Sequence, residues 1–284
     1  MKIDDRLHGI STLLITISQG NQIQGTGFFY QELGPKDPNK EAQWRDIKKI
    51  WIVTNRHILL PKVNGNELLP DNFIFHMRKI VKEGIVWDPF VLDTDEVMRR
   101  VRLHKDTEID IAMVRVDDLL ISHIEGGVKY MAWSGVCEED LPGTSRVSAE
   151  VGDDVLIIGY PKGFYDKKNV FPIVKSGIIA TRWGLGFMGR PVFLIDAKLF
   201  PGSSGSIVIT KPINTIATAN GQVLYSPEGK QFAFLGIFSG EPFVEKIPIE
   251  LDDMTIIRKD SFNVGVVWYG YLVAEIARGG VTLE

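Results

Sequence analysis

The segment "PGSSGSIVIT" (residues 201–210) places two adjacent serines in a turn directly before a β-branched run. Gly202 and Gly205 flank Ser203 and Ser204, and a proline stiffens the approach to the turn. Backbone N–H groups in such a turn can converge on one point and stabilise the oxyanion of a tetrahedral acyl intermediate. Glycine- and serine-rich turns are usually ordinary loops, and serine is a poor nucleophile without a base within hydrogen-bond reach. The rest of the chain must therefore supply that base.

Short runs of β-branched and aromatic residues, separated by Gly, Pro, Asn and Asp, dominate the chain. We predict strands at 11–18, 25–33, 49–55, 72–77, 110–116, 154–160, 174–183, 191–197, 206–210, 231–239 and 263–270. Helical periodicity is confined to "YLVAEIAR" (271–278), whose apolar residues form one stripe of a terminal helix. Many short strands with frequent turns predict an all-β sandwich or barrel followed by this helix.

Two polar segments interrupt the strand pattern and suggest a domain organisation. Residues 34–49 are rich in turn-forming residues and predict a long hairpin loop. Residues 134–150 are loop-like throughout and lie near the middle of the chain. We therefore expect an N-terminal β-barrel over 1–133, a linker over 134–150, and a C-terminal barrel with the terminal helix over 151–284.

The composition describes an ordinary globular protein. The 284 residues are 44% hydrophobic and 24% charged, and a net charge of −4 argues against nucleic acid and anionic membranes as partners. No apolar run reaches the ~18 residues of a membrane span, and the N-terminus carries acids where a signal peptide carries bases. The single cysteine, Cys137, excludes an internal disulfide and points to a cytoplasmic setting.

No cofactor or metal is expected. His, Cys and carboxylate residues show no metal-ligand spacing along the chain. The glycine-rich "GLGFMG" (184–189) is not followed by a helix, as a dinucleotide-binding loop would be, and it predicts a hairpin or cleft loop instead.

Histidine is the usual base for a serine nucleophile. The chain has five: His8, His57, His76, His104 and His123. His57 ends the apolar run "IWIVTNRH" (50–57) at a polar corner, where the ring can face a cleft, although strand-end histidines are commonly just exposed. A catalytic histidine also needs a carboxylate to orient it. Asp110 opens the strand "DIAMVRV" (110–116); Asp106 is the local competitor, and a strand-start aspartate can also serve only to satisfy a turn.

The order of these residues discriminates among hydrolase types. All five histidines precede Ser204, which excludes the order Ser…Asp…His for this serine, and Ser206 stands where G-x-S-x-G requires glycine. The order Asp…His…Ser would need one of four aspartates outside strand ends: Asp4, Asp5, Asp37 or Asp46. The order His57…Asp110…Ser204 is that of chymotrypsin.

Six fragments, in the right order between roughly residues 9 and 278, resemble trypsin-like serine proteases. "GTGFF" (25–29) resembles their G-S/T-G-F strand, "IVTNRHIL" (52–59) their T-A-A-H-C segment and "DIAMVRV" their D-I-A-L-L strand. "IDAKLFPGSSGS" (195–206) resembles the D-A-x-I-x-P-G-N-S-G-G segment of the bacterial HtrA-like branch. "VGDDVLIIGYP" (151–161) and "FLGIFSG" (234–240) resemble the strand that opens the second barrel and the G-I-V-S strand that lines the substrate pocket.

The resemblance implies two antiparallel β-barrels of the chymotrypsin type with the site in the cleft between them. It makes Ser204 the nucleophile, His57 the general base and then acid, and Asp110 the orienting carboxylate. The backbone N–H groups of Gly202 and Ser204 would form the oxyanion hole. The implied activity is a cofactor-free serine endopeptidase that hydrolyses polypeptides through an acyl-enzyme, and relatives of this type often join other effector modules.

Two residues depart from the family pattern. Ser203 replaces the aspartate of digestive relatives, so activation by a newly cut N-terminus is not expected. Ser206 replaces the second glycine after the nucleophile and adds a side chain near the oxyanion turn. Because of Ser206, a catalytically inactive pseudo-protease that serves as a peptide-binding or regulatory module stays an alternative. The triad is also compatible with an esterase or another acyl hydrolase.

The substrate pocket is assigned by spacing alone. Lys198 stands where digestive relatives have the pocket-floor residue, which would favour acidic substrate residues, although a solvent-facing lysine is the simpler interpretation. Leu199, Phe200 and Ser239 are predicted pocket-wall residues, with core packing as the alternative for the first two.

Overall fold

The structure, a computed structural model, describes residues 3–36, 45–161, 164–200, 202–217, 222–226, 229–242, 247–251, 254–258 and 263–283. Its N-terminal half is a seven-stranded antiparallel sheet, and its C-terminal half is a closed six-stranded barrel. A helix follows the last barrel strand. The prediction of an all-β fold with two β units and a C-terminal helix is confirmed.

The strands of the N-terminal sheet are β1 (Ser11–Ser18), β2 (Asn21–Leu33), β3 (Ile47–Thr54), β6 (Asn72–Val81), β7 (Gly84–Asp93), β8 (Val101–Leu103) and β9 (Ala112–Arg115). Neighbouring strands pair antiparallel in the order β7-β6-β1-β2-β3-β9-β8. Gln19 and Gly20 join β1 to β2 with φ angles of 49° and 75°, as the two central residues of a type I′ hairpin require. This tight turn fixes the register in which Ser18 pairs with Asn21.

The strands of the C-terminal barrel are β10 (Asp154–Gly159), β11 (Ile173–Ile179), β12 (Val192–Asp196), β13 (Ile207–Thr210), β16 (Phe234–Gly240) and β19 (Val264–Tyr269). The barrel closes in the order β10-β11-β12-β19-β16-β13. Apolar side chains such as Phe193, Leu235 and Phe238 fill its interior. At Gly236 the backbones of β16 and β19 approach so closely that a Cβ there would lie 1.9 Å from the carbonyl oxygen of Trp268.

Short elements complete the fold. The helices are α1 (Ile3–Gly9), α2 (Arg56–Leu59), α3 (Thr94–Arg100), α4 (Asp117–Glu125) and α5 (Tyr271–Gly279). The minor strands are β4 (Lys62–Val63), β5 (Asn66–Glu67), β14 (Thr215–Ala217), β15 (Val223–Tyr225), β17 (Ile247–Leu251) and β18 (Met254–Arg258). Helix α5 buries Leu272, Val273 and Ile276 against the core. Within the described ranges, no helix is long and apolar enough to cross a membrane.

The two predicted irregular segments connect the elements around them. The expected hairpin loop at 34–49 joins β2 to β3, but β3 already begins at Ile47, and residues 37–44 lie outside the described residues. The expected linker at 134–150 runs from the sheet to the barrel and starts by pairing with β2. There the Gln31 N–H donates to the Val136 carbonyl oxygen at 2.8 Å. The Val136 N–H donates in turn to the Phe29 carbonyl oxygen at 3.0 Å. The domain boundaries themselves stay a prediction.

Replacing Gly236 by alanine should destabilise the barrel, because the new Cβ would force β16 and β19 apart. We expect Gly236→Ala to lower the free energy of unfolding by about 1–3 kcal/mol, as overpacking does, measured by urea denaturation. Gly240→Ala is the matched control, since Gly240 lies on the same strand and a Cβ added there would have nothing within 4 Å. Equal losses in both variants would contradict this account of barrel closure.

Candidate active site

Thr26 holds the turn that carries Ser204 against the N-terminal sheet. Its N–H donates to the Ser204 carbonyl oxygen at 3.0 Å. Its own carbonyl oxygen accepts from the Thr54 hydroxyl at 2.8 Å, and its hydroxyl oxygen accepts from the Tyr160 N–H at 2.9 Å. Thr26 is fully buried, so these three bonds satisfy polar groups that water does not reach.

Two glycines at positive φ shape this turn. The Ser203 N–H donates to the Phe200 carbonyl oxygen at 3.1 Å, and Gly202 has a φ of 85°, a left-handed angle that glycine adopts without steric cost. Gly205 has a φ of 83°, and a Cβ on it would lie 1.9 Å from the Thr26 carbonyl oxygen. Glycine is therefore needed at residue 205 for two reasons, its backbone angle and its contact with β2.

The turn offers the two predicted oxyanion-hole donors. In the part of the chain that the structure describes, the backbone N–H groups of Gly202 and Ser204 donate to no protein acceptor. Ser206 does not occupy the same space, because it is 1% exposed and its hydroxyl packs against Gly159. A Cβ on Gly159 would lie only 2.0 Å from the Ser206 Oγ. The extra side chain of Ser206 thus fits because residue 159 has none.

His57, in helix α2, and Asp110, just before β9, lie side by side in the N-terminal half. The His57 Nδ1 lies 2.8 Å from Asp110 Oδ2, and the His57 backbone N–H donates to Asp110 Oδ1 at 2.9 Å. The Asn55 side-chain amide donates to the Asp110 carbonyl oxygen at 2.9 Å and so ties the start of α2 to the segment before β9. An ionised carboxylate only accepts hydrogen bonds, so Nδ1 carries the proton and Nε2 is left as an acceptor.

Ser239 connects the two halves of the site. Its hydroxyl donates to Asp110 Oδ2 at 2.6 Å, and its carbonyl oxygen accepts from the Ser204 hydroxyl at 2.8 Å. Among the described contacts, none joins Ser204 Oγ to His57. The sequence analysis placed Ser239 in the pocket wall and missed its bond to Asp110. The available signal was a polar residue at the end of the apolar run "QFAFLGIFS" (231–239).

The competing residues have other partners. Asp106 Oδ1 accepts from the Glu108 N–H at 3.0 Å, and the Asp106 N–H donates to His104 Nδ1 at 3.0 Å, so Asp106 caps a turn. His76 lies on β6 with Nδ1 2.9 Å from the Leu13 carbonyl oxygen, and burial lowers the pKa of its imidazole. Neither residue contacts His57 or Ser204 in the described structure.

The four predicted pocket residues lie in different environments. Lys198 is exposed, Leu199 packs in the barrel core, and Phe200 is 48% exposed beneath the Lys175 ammonium, which lies 4.6 Å from its ring centroid. Only Ser239 of the four lines the large cleft beside the catalytic candidates. That cleft has a volume of about 630 Å³ and also includes His57 and Asp110.

One wall of the cleft comes from the barrel and from the β11–β12 connection. Its residues are Phe187, Met188, Arg190, Val192, Leu194, Val266 and Trp268. The sequence analysis predicted a hairpin or cleft loop over 184–189, and the structure places a tight turn at that part of the chain, at the edge of the cleft.

Comparisons with known proteins agree with this architecture. The profile of the family described as trypsin-like peptidase domain matches residues 25–215. A search of curated protein sequences finds no significant match. Among solved structures, the chain is similar to the Rv3671c protease in its inactive form, with 16% identity, a TM-score of 0.44, and 96% of this chain and 89% of that chain covered.

Two further solved structures are similar to the chain. The HtrA-type protease AlgW with a tripeptide has 16% identity and a TM-score of 0.49, with 97% of this chain but only 61% of that chain covered. The scabies mite inactivated protease paralogue S-I1 has 13% identity and a TM-score of 0.47, with 97% and 96% covered.

Gly205→Ala should destabilise the protein, because the new Cβ would collide with the Thr26 carbonyl oxygen. We expect a loss of about 2–3 kcal/mol in the free energy of unfolding, from overpacking together with backbone strain. Gly20→Ala separates these effects, since Gly20 also has a positive φ but nothing lies within 4 Å of a Cβ there. Denaturant unfolding followed by circular dichroism measures both. If Gly205→Ala costs no more than the control, the contact with Thr26 is not as close as described.

Proposed function

Because the chain belongs to the trypsin-like peptidase domain family, we propose that it is a serine endopeptidase that cleaves polypeptides through an acyl-enzyme. One observation carries the proposal: the Asp110 carboxylate binds both His57 and the Ser239 hydroxyl, and the Ser239 carbonyl oxygen holds the Ser204 hydroxyl. Ser239 thereby connects the proposed nucleophile to the proposed carboxylate and base, which line the cleft, and the three residues have the chain order that the sequence suggested.

In the proposed reaction, Ser204 Oγ first rotates from the Ser239 carbonyl oxygen toward His57 Nε2. Catalytic hydrogen bonds of this kind commonly tighten only when substrate is bound. Oγ then attacks the scissile carbonyl carbon while Nε2 takes the hydroxyl proton, and Asp110 stabilises the imidazolium. The N–H groups of Gly202 and Ser204 donate to the oxyanion that forms.

Collapse of this intermediate breaks the peptide C–N bond, and the imidazolium gives its proton to the leaving amine. A water molecule then repeats the sequence on the acyl-enzyme: His57 takes a proton from the water as its oxygen attacks the ester carbonyl. The ester bond breaks, the proton returns to Ser204 Oγ, and the carboxylic product leaves. No group beyond the chain and water is required for this cycle.

A fluorophosphonate probe should label the protein at Ser204, because the probe reacts only with an activated serine hydroxyl. We expect labelling of the wild type, detected by gel fluorescence and peptide mass spectrometry, and none of Ser204→Ala. Ser203→Ala is the matched control, since it removes the neighbouring hydroxyl, which is buried. Equal labelling of wild type and Ser204→Ala would refute the assignment. Absence of labelling in a folded wild type would favour the pseudo-protease.

Ser239→Ala tests the link between the carboxylate and the barrel. The substitution removes the donor that lies 2.6 Å from Asp110 Oδ2 and leaves the carbonyl oxygen that holds Ser204. A hydrogen bond to a charged group contributes about 1.5 kcal/mol or more, so we expect kcat on a peptide substrate to fall about 10-fold. Asp110→Asn should cost about 10³- to 10⁴-fold. An unchanged kcat for Ser239→Ala would show that this bond does not support the reaction.

A further inference from the structure

Arg190 lies in the cleft that contains His57 and contacts an aromatic side chain there. Its guanidinium carbon lies 5.0 Å from the ring centroid of Trp268, which forms part of the cleft wall. Among the residues that the structure describes, no Asp or Glu forms an ion pair or a hydrogen bond with Arg190. The exposed Arg190 guanidinium therefore has no ion-pair partner among the described residues.

The backbone fixes the place of Arg190. Met188 and Gly189 have φ angles of 51° and 75°, and the Arg190 N–H donates to the Phe187 carbonyl oxygen at 3.1 Å, which defines a type I′ turn. A Cβ on Gly186 would lie 2.4 Å from the Arg190 carbonyl oxygen, so the two arms of this hairpin are in close contact. Met188 is 85% exposed at the turn. A tight turn of this kind holds its side chains at a defined place on the cleft edge.

The contact with the Trp268 ring does not use the N–H groups of the Arg190 guanidinium as hydrogen-bond donors. Trp268 is 1% exposed, and its Nε1 has no hydrogen-bond partner in the described structure. A guanidinium that lies over an aromatic ring keeps its N–H groups in its own plane, where they can bind a carboxylate through two parallel hydrogen bonds. The side-chain N–H groups of Arg190 donate to no described residue, so they are available to a carboxylate.

The cleft is also lined by other charged residues, and its acidic residues offset its cations. Glu67 is neutralised by Arg56 through two bonds of 2.8 Å, and Asp110 is held by His57. Glu108 and Glu241 also line the cleft, and Lys62 lies on the exposed hairpin of β4 and β5. The cleft as a whole is therefore not positive, so it should not attract acidic peptides in general. A carboxylate placed next to Arg190 gains a partner there.

We propose that Arg190 is a specificity-determining residue that binds the side-chain carboxylate of an aspartate or glutamate at one fixed position of the substrate, a few residues from the scissile bond. The inference rests on the proposed function, because it takes the cleft beside His57 as the peptide-binding cleft. It also assigns the recognition of acidic substrate residues to Arg190, which lines the cleft, instead of to Lys198, which the spacing suggested.

A peptide library with Glu, Gln or Lys at each position tests the proposal. Binding to Ser204→Ala is measured by fluorescence anisotropy, and cleavage by the otherwise unaltered enzyme is measured by mass spectrometry. We expect Glu to be preferred over Gln at one position by about 10- to 100-fold, the range for a charge-assisted bidentate contact. Arg190→Gln should abolish this preference, and Arg190→Glu should shift it to Lys.

Arg182→Glu is the matched control, because Arg182 is an exposed arginine of the same β11–β12 connection and does not line the cleft. It should keep the wild-type preference. A library without any Glu-over-Gln discrimination, or discrimination that persists in Arg190→Gln, overturns the proposal. The binding readout separates this result from catalysis: Arg190-dependent binding without fluorophosphonate labelling of the wild type would refute the proposed reaction and leave the role of Arg190 standing.

Discussion

The hydrogen bond from the Thr26 N–H to the Ser204 carbonyl oxygen is the contact on which the geometry of the site depends. Ser204 lies in the turn before a barrel strand, whereas His57 and Asp110 lie on segments next to the N-terminal sheet, so the distances among them are set by how the two halves meet. Thr26 is fully buried and uses its N–H, its carbonyl oxygen and its hydroxyl in three bonds to three different segments. Leaving any of these groups unpaired would cost about 1–3 kcal/mol, which strongly favours a single arrangement.

A second contact between the halves acts on the side chains. Asp110 accepts from the backbone and ring of His57 within the sheet and from the Ser239 hydroxyl of the barrel. The Ser239 carbonyl oxygen in turn holds Ser204 Oγ. The main-chain bond at Thr26 therefore sets where the nucleophile turn lies, while the bond at Ser239 sets how the base is oriented. In the reaction proposed above, rotation of the Ser204 hydroxyl separates this arrangement from the reactive one.

The sequence predicted the strands best where one face is buried and the turn chemistry is explicit. "STLLITIS" (11–18) coincides with β1, which ends at a type I′ turn. Strand β7 was missed because Pro89 interrupts its pattern, and its position at the edge of the sheet is what allows a proline there. Spacing left Leu199 open between the pocket wall and the core, because distance along the chain does not determine which way a side chain points, and the structure packs it in the barrel core. The cytoplasmic setting stays a prediction.

Catalytic and recognition residues differ in how strongly the fold constrains them. The catalytic candidates are connected across both halves through Ser239, and each of them lies in a recognisable sequence motif. Arg190 lies on a turn set by Gly186 and Gly189, and its side chain contacts Trp268 rather than His57, Asp110 or Ser204. A change at residue 190 can therefore alter which peptide is held without disturbing the bonds at Thr26 and Ser239. The motifs around His57, Asp110 and Ser204 do not include residue 190, which is why its contact with Trp268 emerges only from the structure.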